Sequence, residues 1–171
     1  MLKIRPATTD DLEPITAIYN EAILKTVATF DTVPKSLVDQ RRWFQEHVPR
    51  YPIIVAELEG KVVGWASLSR WSDRPAYDET AEVSAYVDAD HRGKKFGRAL
   101  LEALVEAGRN GGFHTLVSRI VQGSEVSVHL HARLGFAHVG VLREAGRKFG
   151  KRLDVTIMQK VLERINGKAG T

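Results

Sequence analysis

The chain has 171 residues, 43% of them apolar, and contains no cysteine. That length supports one core of useful size rather than two, and the missing thiols exclude disulfides, thiolate metal sites and a cysteine nucleophile. The net charge of +4, from 25 basic and 21 acidic residues, is modest, so it points to an anionic partner only where the cations cluster. No apolar run approaches the roughly 18 residues that a membrane span needs, and "MLKIRPATTDD" lacks the apolar stretch of a signal peptide. These features lead to the expectation of a single cytoplasmic domain over residues 1–171, with a disordered tail from about 166 to 171.

In chain order, "KIRPAT" reads as a first strand. "DDLEPITAIYNEAIL" is an amphipathic helix, with Leu12, Ile15, Ile18, Tyr19, Ala22 and Ile23 at helical spacing and Asp10 and Glu13 in capping-box register. "SLVDQRRWFQEHV" is a second helix capped by Ser36, with Asp39 three residues on. "YPIIVAELEGKVVGWASLSRW" is a hairpin around Glu59-Gly60, and the polar loop "SDRPAYDE" leads to the strand "TAEVSAYV". "KFGRALLEALVEAGRN" is a helix with Phe96, Leu100, Leu104 and Ala107 on one face, stopped by Gly111-Gly112. The strand "HTLVSRIV", the short helix "SEVSVHLHARL", and the strands "FAHVGVL" and "LDVTIMQKVL" around a loop "REAGRKFGKR" complete the chain. The order is β-α-α-β-β-β-α-β-α-β-β, a mixed α/β (α+β) domain without repeats or linkers.

The stretch "ADHRGKKFGRAL" joins a strand to a helix through Gly93 and Gly97. A helix start of this kind aims unpaired backbone N–H groups at one point and binds phosphate, and Arg92, Lys94, Lys95 and Arg98 add mobile positive charge. Read alone, it is equally a glycine turn with solvated lysines, because it matches neither the P-loop nor the dinucleotide fingerprint. It does resemble the pyrophosphate loop [QR]-x-x-G-x-[GA] of the GNAT superfamily of acyl-CoA-dependent N-acyltransferases, with Arg92 and Gly97 at its ends. The family's middle glycine is Lys95 here, so a positive φ at that position would cost about 1–2 kcal/mol.

"YPIIVAE", "DRPAYDETAEVSAYV", "VHLHARLGF" and "GRKFGKRLDVTIMQ" resemble successive blocks of the phosphinothricin acetyltransferase group, which includes methionine sulfoximine and L-amino-acid N-acyltransferases. The resemblance covers almost the whole chain. It implies the GNAT fold, a mixed, mostly antiparallel sheet flanked by helices, with acetyl-CoA as cosubstrate and a homodimer as the assembly. It also implies that Ala85, Tyr86 and Val87 give their main chain to the pantetheine arm, and that Arg92, Gly93, Lys94, Lys95, Phe96, Gly97, Arg98 and Ser124 hold the cofactor.

On "TAEVSAYV" the period of two puts Val83, Ala85 and Val87 on one face and Glu82, Ser84 and Tyr86 on the other. A Glu inside a central strand is costly unless it is hydrated or used, and the resemblance makes Glu82 the general base, acting through water; otherwise it is a salt-bridged surface Glu. Many GNAT enzymes carry a tyrosine acid in L-Y-x-x-x-G-F, whereas "LHARLGF" puts His131 there, either as the acid or as a packed helix histidine. His129 and His131 lie on opposite faces of a helix and cannot chelate one metal. Arg74 matches an arginine of the family's R-x-A-Y block, and its guanidinium would grip an α-carboxylate. Pro75, Ala76 and Tyr77 complete that block, and Trp71 and Phe30 stand as further pocket walls.

The expected partner is therefore a small amino-acid-like amine, with neither nucleic acid nor membrane. Three other readings remain open: acetylation of a protein N-terminus, lysine, polyamine or aminoglycoside; a non-catalytic acyl-CoA sensor; and a nucleic-acid-binding basic domain. The last would spread its cations over a face rather than at one helix start.

Overall fold

The computed structural model describes residues 1–163, and the tail expected at 166–171 lies outside them. The chain forms seven strands: β1 (Leu2–Pro6), β2 (Ile53–Leu58), β3 (Lys61–Arg70), β4 (Thr80–Val87), β5 (Thr115–Val121), β6 (Ala137–Lys148) and β7 (Lys151–Val161). They make one sheet in the order β1-β2-β3-β4-β5-β7-β6, antiparallel at every step except between β4 and β5. The helices are α1 (Leu12–Lys25), α2 (Leu37–His47), α3 (Phe96–Asn110) and α4 (Glu125–Arg133), and the expected element order holds throughout.

Two apolar layers bind the helices to the sheet. On one face Leu12, Ile15 and Ile18 of α1 and Phe44 of α2 pack on Ile53, Val55 and Trp65. On the other, Leu100, Leu101, Leu104 and Val105 of α3 pack on Ala66, Leu68, Val83, Leu116 and Met158. Leu100 and Leu104 are fully buried, whereas the expected Ala107 is only half-buried and Gly108 takes its place against Leu68 and Leu116. Burying each large apolar side chain stabilises the fold by about 1.5–3 kcal/mol relative to exposure, so these layers rather than helix propensity hold α3 in place.

Two local features differ from the sequence reading. The capping box before α1 uses Thr8 and Asp11 rather than Asp10 and Glu13. Asp11 accepts the Thr8 N–H at 2.8 Å while two Arg5 nitrogens hold its carboxylate, and this bonding by Arg5 keeps its pKa below the ordinary carboxylate value. The segment "REAGRKFGKR" is not a loop. β6 and β7 run through it to a two-residue turn at Phe149 and Gly150, both at positive φ, the geometry that matches strand twist. A register irregularity between Leu142 and Gly146 absorbs its unpaired residues, and another between His138 and Gly140 leaves Val139 unpaired.

At the start of α3 the positive φ anticipated for Lys95 is present. Lys95 sits at its N-cap with φ 65° and ψ 9°, a left-handed conformation that the loop demands and that a Cβ resists. Lys95→Gly should therefore raise stability by about 1 kcal/mol, after allowing for the greater freedom of glycine in the unfolded chain. Denaturant unfolding of the two proteins measures this, and a loss of stability would show that the turn is unstrained.

Candidate functional site

β4 and β5 pair only over Thr80–Glu82 and Thr115–Val117. Beyond that point β4 stays with β3 as far as Val87, and β5 stays with β7 as far as Val121, so the two strands part. Their facing main-chain groups past Glu82 and Val117 have no ladder partner, and such groups demand a bonding partner from elsewhere. The opening leads into a cleft of about 1370 Å³. That exceeds the 300–1,000 Å³ typical of a drug-sized site and gives room for an extended ligand and a second small molecule.

At one end of the cleft lies the start of α3. The first helical bond on this turn is Ala99 N–H to Lys95 O, at 3.1 Å, which leaves the N–H groups of Phe96, Gly97 and Arg98 without a helical acceptor. Arg92, Gly93, Lys95, Phe96, Gly97 and Arg98 all line the cleft. Lys94 does not; its ammonium donates to Asp90 O at 3.1 Å. Arg92 is braced by a bond to Val87 O at 3.2 Å, and Arg98 pairs with Glu102 at 2.7 Å, so part of the positive charge is engaged within the turn. Ser124, at the N-cap of α4, also lines the cleft, and its side chain makes no capping bond.

In the middle of the cleft, Glu82, Ser84 and Tyr86 share one face of β4. Glu82 occupies the last paired position before the strands part. Its carboxylate is not free: Arg119 of β5 donates Nε–H to Oε1 at 2.6 Å and Nη2–H to Oε2 at 2.5 Å. Hydrogen bonding to Glu82 raises the pKa of Arg119 further. The Arg119 guanidinium also lies 5.6 Å from the Trp71 ring centroid. Tyr86 is packed between Tyr19 and Trp65, with ring centroids 5.0 and 4.9 Å away, and burial pushes its phenol up to about 12. The Tyr19 hydroxyl donates to Asp31 at 2.6 Å, and burial raises its pKa as well.

At the far end Phe30 lines the cleft from the segment between α1 and α2. Its ring stands over Gly146 of β6, where a Cβ would overlap the ring Cε2 and Cζ. Beside it the buried Lys148 donates to Thr29 O at 2.8 Å, and loss of hydration lowers its pKa.

The other expected acceptor residues are placed differently. Trp71 reaches the cleft only through Arg119, and Arg74, Pro75, Ala76 and Tyr77 are exposed on a short 3-10 turn off the cleft wall. Within one chain, the guanidinium facing the cleft at mid-depth is Arg119, not Arg74. The pattern of "TLVSRIV" held the signal: an arginine inside an apolar strand is as anomalous as Glu82. Ser84 lines the site on the Glu82 face that the period of two marked, whereas Asp31 lines it unforeseen, and nothing in its local sequence marks it.

His131 is buried while His129 is exposed, so the two do not converge on one ion. The His131 Nδ1–H donates to Ser127 O at 2.8 Å, which leaves Nε2 with its lone pair. Burial lowers its pKa, so the ring is neutral at neutral pH. A neutral ring in this tautomer accepts a proton and has none on Nε2 to give, which favours the packed-histidine alternative over the acid.

Residues 15–136 match the model of the Acetyltransferase (GNAT) family. The chain belongs to that family, and the expected fold is the one observed. It is 41% identical to an L-methionine sulfoximine/L-methionine sulfone acetyltransferase of Pseudomonas paraeruginosa over 162 residues, 94% of each chain. It is 37% identical to the L-amino acid N-acyltransferase MnaT of Escherichia coli, over 95% of each. A phosphinothricin acetyltransferase from Sinorhizobium meliloti in complex with AcCoA superposes with a TM-score of 0.92 at 35% identity, covering 99% of this chain and 93% of that one.

The neutral state of His131 has a measurable consequence. The unfolded imidazole titrates near its ordinary 6.5 and the folded one lower, so below about pH 6.5 the unfolded chain binds more protons. Stability is therefore complete above that pH and falls as the pH drops toward the folded pKa. His47, also lowered by burial, adds to the trend. Melting temperatures from pH 7.5 to 5 should decline, with a shallower slope in His131→Phe; an unchanged slope would assign the effect to His47.

Proposed function

We propose that this protein transfers the acetyl group of acetyl-CoA to the α-amine of a small amino-acid-like acceptor of the methionine sulfone or phosphinothricin kind. The observation that carries this reading is the shared cleft, in which the unpaired helix start at Phe96–Arg98 and the carboxylate of Glu82 flank the parted edge of β4. Acetyl-CoA supplies the activated thioester. The N–H groups of Phe96 to Arg98 suit its pyrophosphate, with Arg92, Lys95 and Arg98 adding charge. The freed main chain of Ala85, Tyr86 and Val87 suits its amide-bearing arm, and an N–H there stabilises negative charge on the thioester oxygen.

Glu82 takes the proton lost by the acceptor's ammonium, directly or through water, so that a neutral amine attacks. The new N–C bond forms as the C–S bond breaks. The departing thiolate takes up a proton, and free thiol and N-acetyl product leave. Each Glu82 oxygen has a second lone pair beyond the one bound by Arg119, so the ion pair orients the carboxylate without exhausting its capacity. His131 fits as a second proton acceptor on the α4 side.

Phe30, Asp31 and Ser84 border the acceptor space; Arg74 to Tyr77 would reach it only if that turn moved or a neighbouring subunit supplied them. A homodimer is consistent with the exposed Val139, Val141 and Leu142 on β6, an edge strand whose apolar side chains are bare in one chain. No helix among the described residues is long and apolar enough to cross a membrane.

Thiol release from acetyl-CoA with L-methionine sulfone as acceptor tests the reaction. Glu82→Gln should lower turnover about 10²- to 10⁴-fold at neutral pH. Acetyl-CoA should still raise its melting temperature, because the phosphate end of the cleft is untouched. Full turnover in the variant would move the base elsewhere. No thermal shift in the unmodified protein would remove the cofactor assignment, and turnover confined to peptides or polyamines would replace the acceptor class.

A further inference from the structure

We infer that Arg119 is the receptor for the acceptor's carboxylate, holding it on the guanidinium edge that Glu82 leaves open. This rests on the amino-acid reading above and adds to it the residue that selects the class. Glu82 occupies the side edge of the guanidinium, Nε and Nη2. The end edge, made by Nη1 and the second N–H of Nη2, has no partner among the described residues. Those two donors are parallel and match a second carboxylate bidentately.

The side chain is placed for this role. It is 53% exposed, on the cleft wall just past the point where β4 and β5 part, and Trp71 lies at 5.6 Å as support for its plane. A lone arginine on a solvated surface would be unremarkable. This one is held in one orientation by two bonds to Glu82, so little of its rotamer freedom remains to be lost when a ligand binds.

The geometry of an α-amino acid completes the argument. One carbon separates its amine from its carboxylate. A carboxylate on Nη1 and Nη2 therefore sits beside the Glu82 oxygen on Nη2, and its ammonium falls within reach of Glu82. The zwitterion then meets the Arg119–Glu82 pair head to tail, cation on carboxylate and carboxylate on cation. Four charges alternate and sum to zero, which avoids leaving an unpaired charge in the cleft. A bare amine or an amidated amino acid fills only half of this arrangement.

The test compares L-methionine sulfone with its carboxamide, using thiol release, for the unmodified enzyme, Arg119→Gln and Arg119→Lys. In Arg119→Gln the KM for the acid should rise about 10- to 100-fold, the range for a charge-assisted bidentate pair, while the KM for the amide changes less than about threefold. The kcat should fall for both acceptors alike, because Glu82 loses its orienting partner. Arg119→Lys keeps the charge without two parallel donors, so it should restore only part of the affinity for the acid. The acetyl-CoA thermal shift must persist in each variant, and if Arg119→Gln does not fold, the acid-to-amide KM ratio of Arg119→Lys decides. An unmodified enzyme that turns over neither acid nor amide defeats the amino-acid reading itself. An enzyme that turns over the acid, with variants that keep its acid-to-amide KM ratio, defeats this inference alone and leaves Arg119 as a positioning residue for Glu82.

Discussion

The parting of β4 from β5 after three paired residues is the constraint from which the rest of the site follows. Each strand keeps its other neighbour along its whole length, so neither can bend to close the gap without breaking a longer ladder. The gap is therefore built in by the sheet itself. It presents main-chain donors and acceptors in the interior, where only a ligand or water can pair them. It also places the end of β4 against the start of α3, so that an arm entering the gap has its far end beside the unpaired N–H groups of Phe96 to Arg98. One break in one ladder supplies both a groove for a long ligand and an anchor for its charged end.

The vertex of the gap is also where charge can be kept at lowest cost. A carboxylate on a central strand would be expensive if buried outright, but at the vertex Glu82 is near solvent and shares two hydrogen bonds with Arg119. The aromatic group formed by Tyr19, Trp65 and Tyr86 closes the side facing α1. Its phenols are held protonated by burial, so they add surface and hydrogen bonding without competing for protons near neutral pH.

The sequence revealed the parts of this arrangement that depend on local pattern. "TAEVSAYV" alternates cleanly and gave β4 residue for residue, and the glycine-rich turn before an apolar period of 3.6 gave the start of α3. The positive φ feared at Lys95 is there. What escaped was non-local. The run of charge in "REAGRKFGKR" reads as a loop because β6 is an edge strand with exposed faces, and no apolar alternation survives to mark it. The cap at Asp11 was misread because Arg5, on a different element, chooses which acid is buried. Arg119 was visible as an anomaly in its own strand, but its partner lies 37 residues away, and no spacing rule joins them.

The seat of Phe30 against Gly146, and of Lys148 on the Thr29 carbonyl, ties the first fifth of the chain to its last hairpin across 119 residues. Contacts of that separation carry the largest loop-closure cost and form late in folding. A ribosome-bound chain can complete the α3 turn while the wall opposite Glu82 still has no backing. The two ends of the cleft are thus separated in the order of assembly. The end at the start of α3 is built from the adjacent segment 85–98, whereas the wall at Phe30 gains its backing only once the last strands have been added.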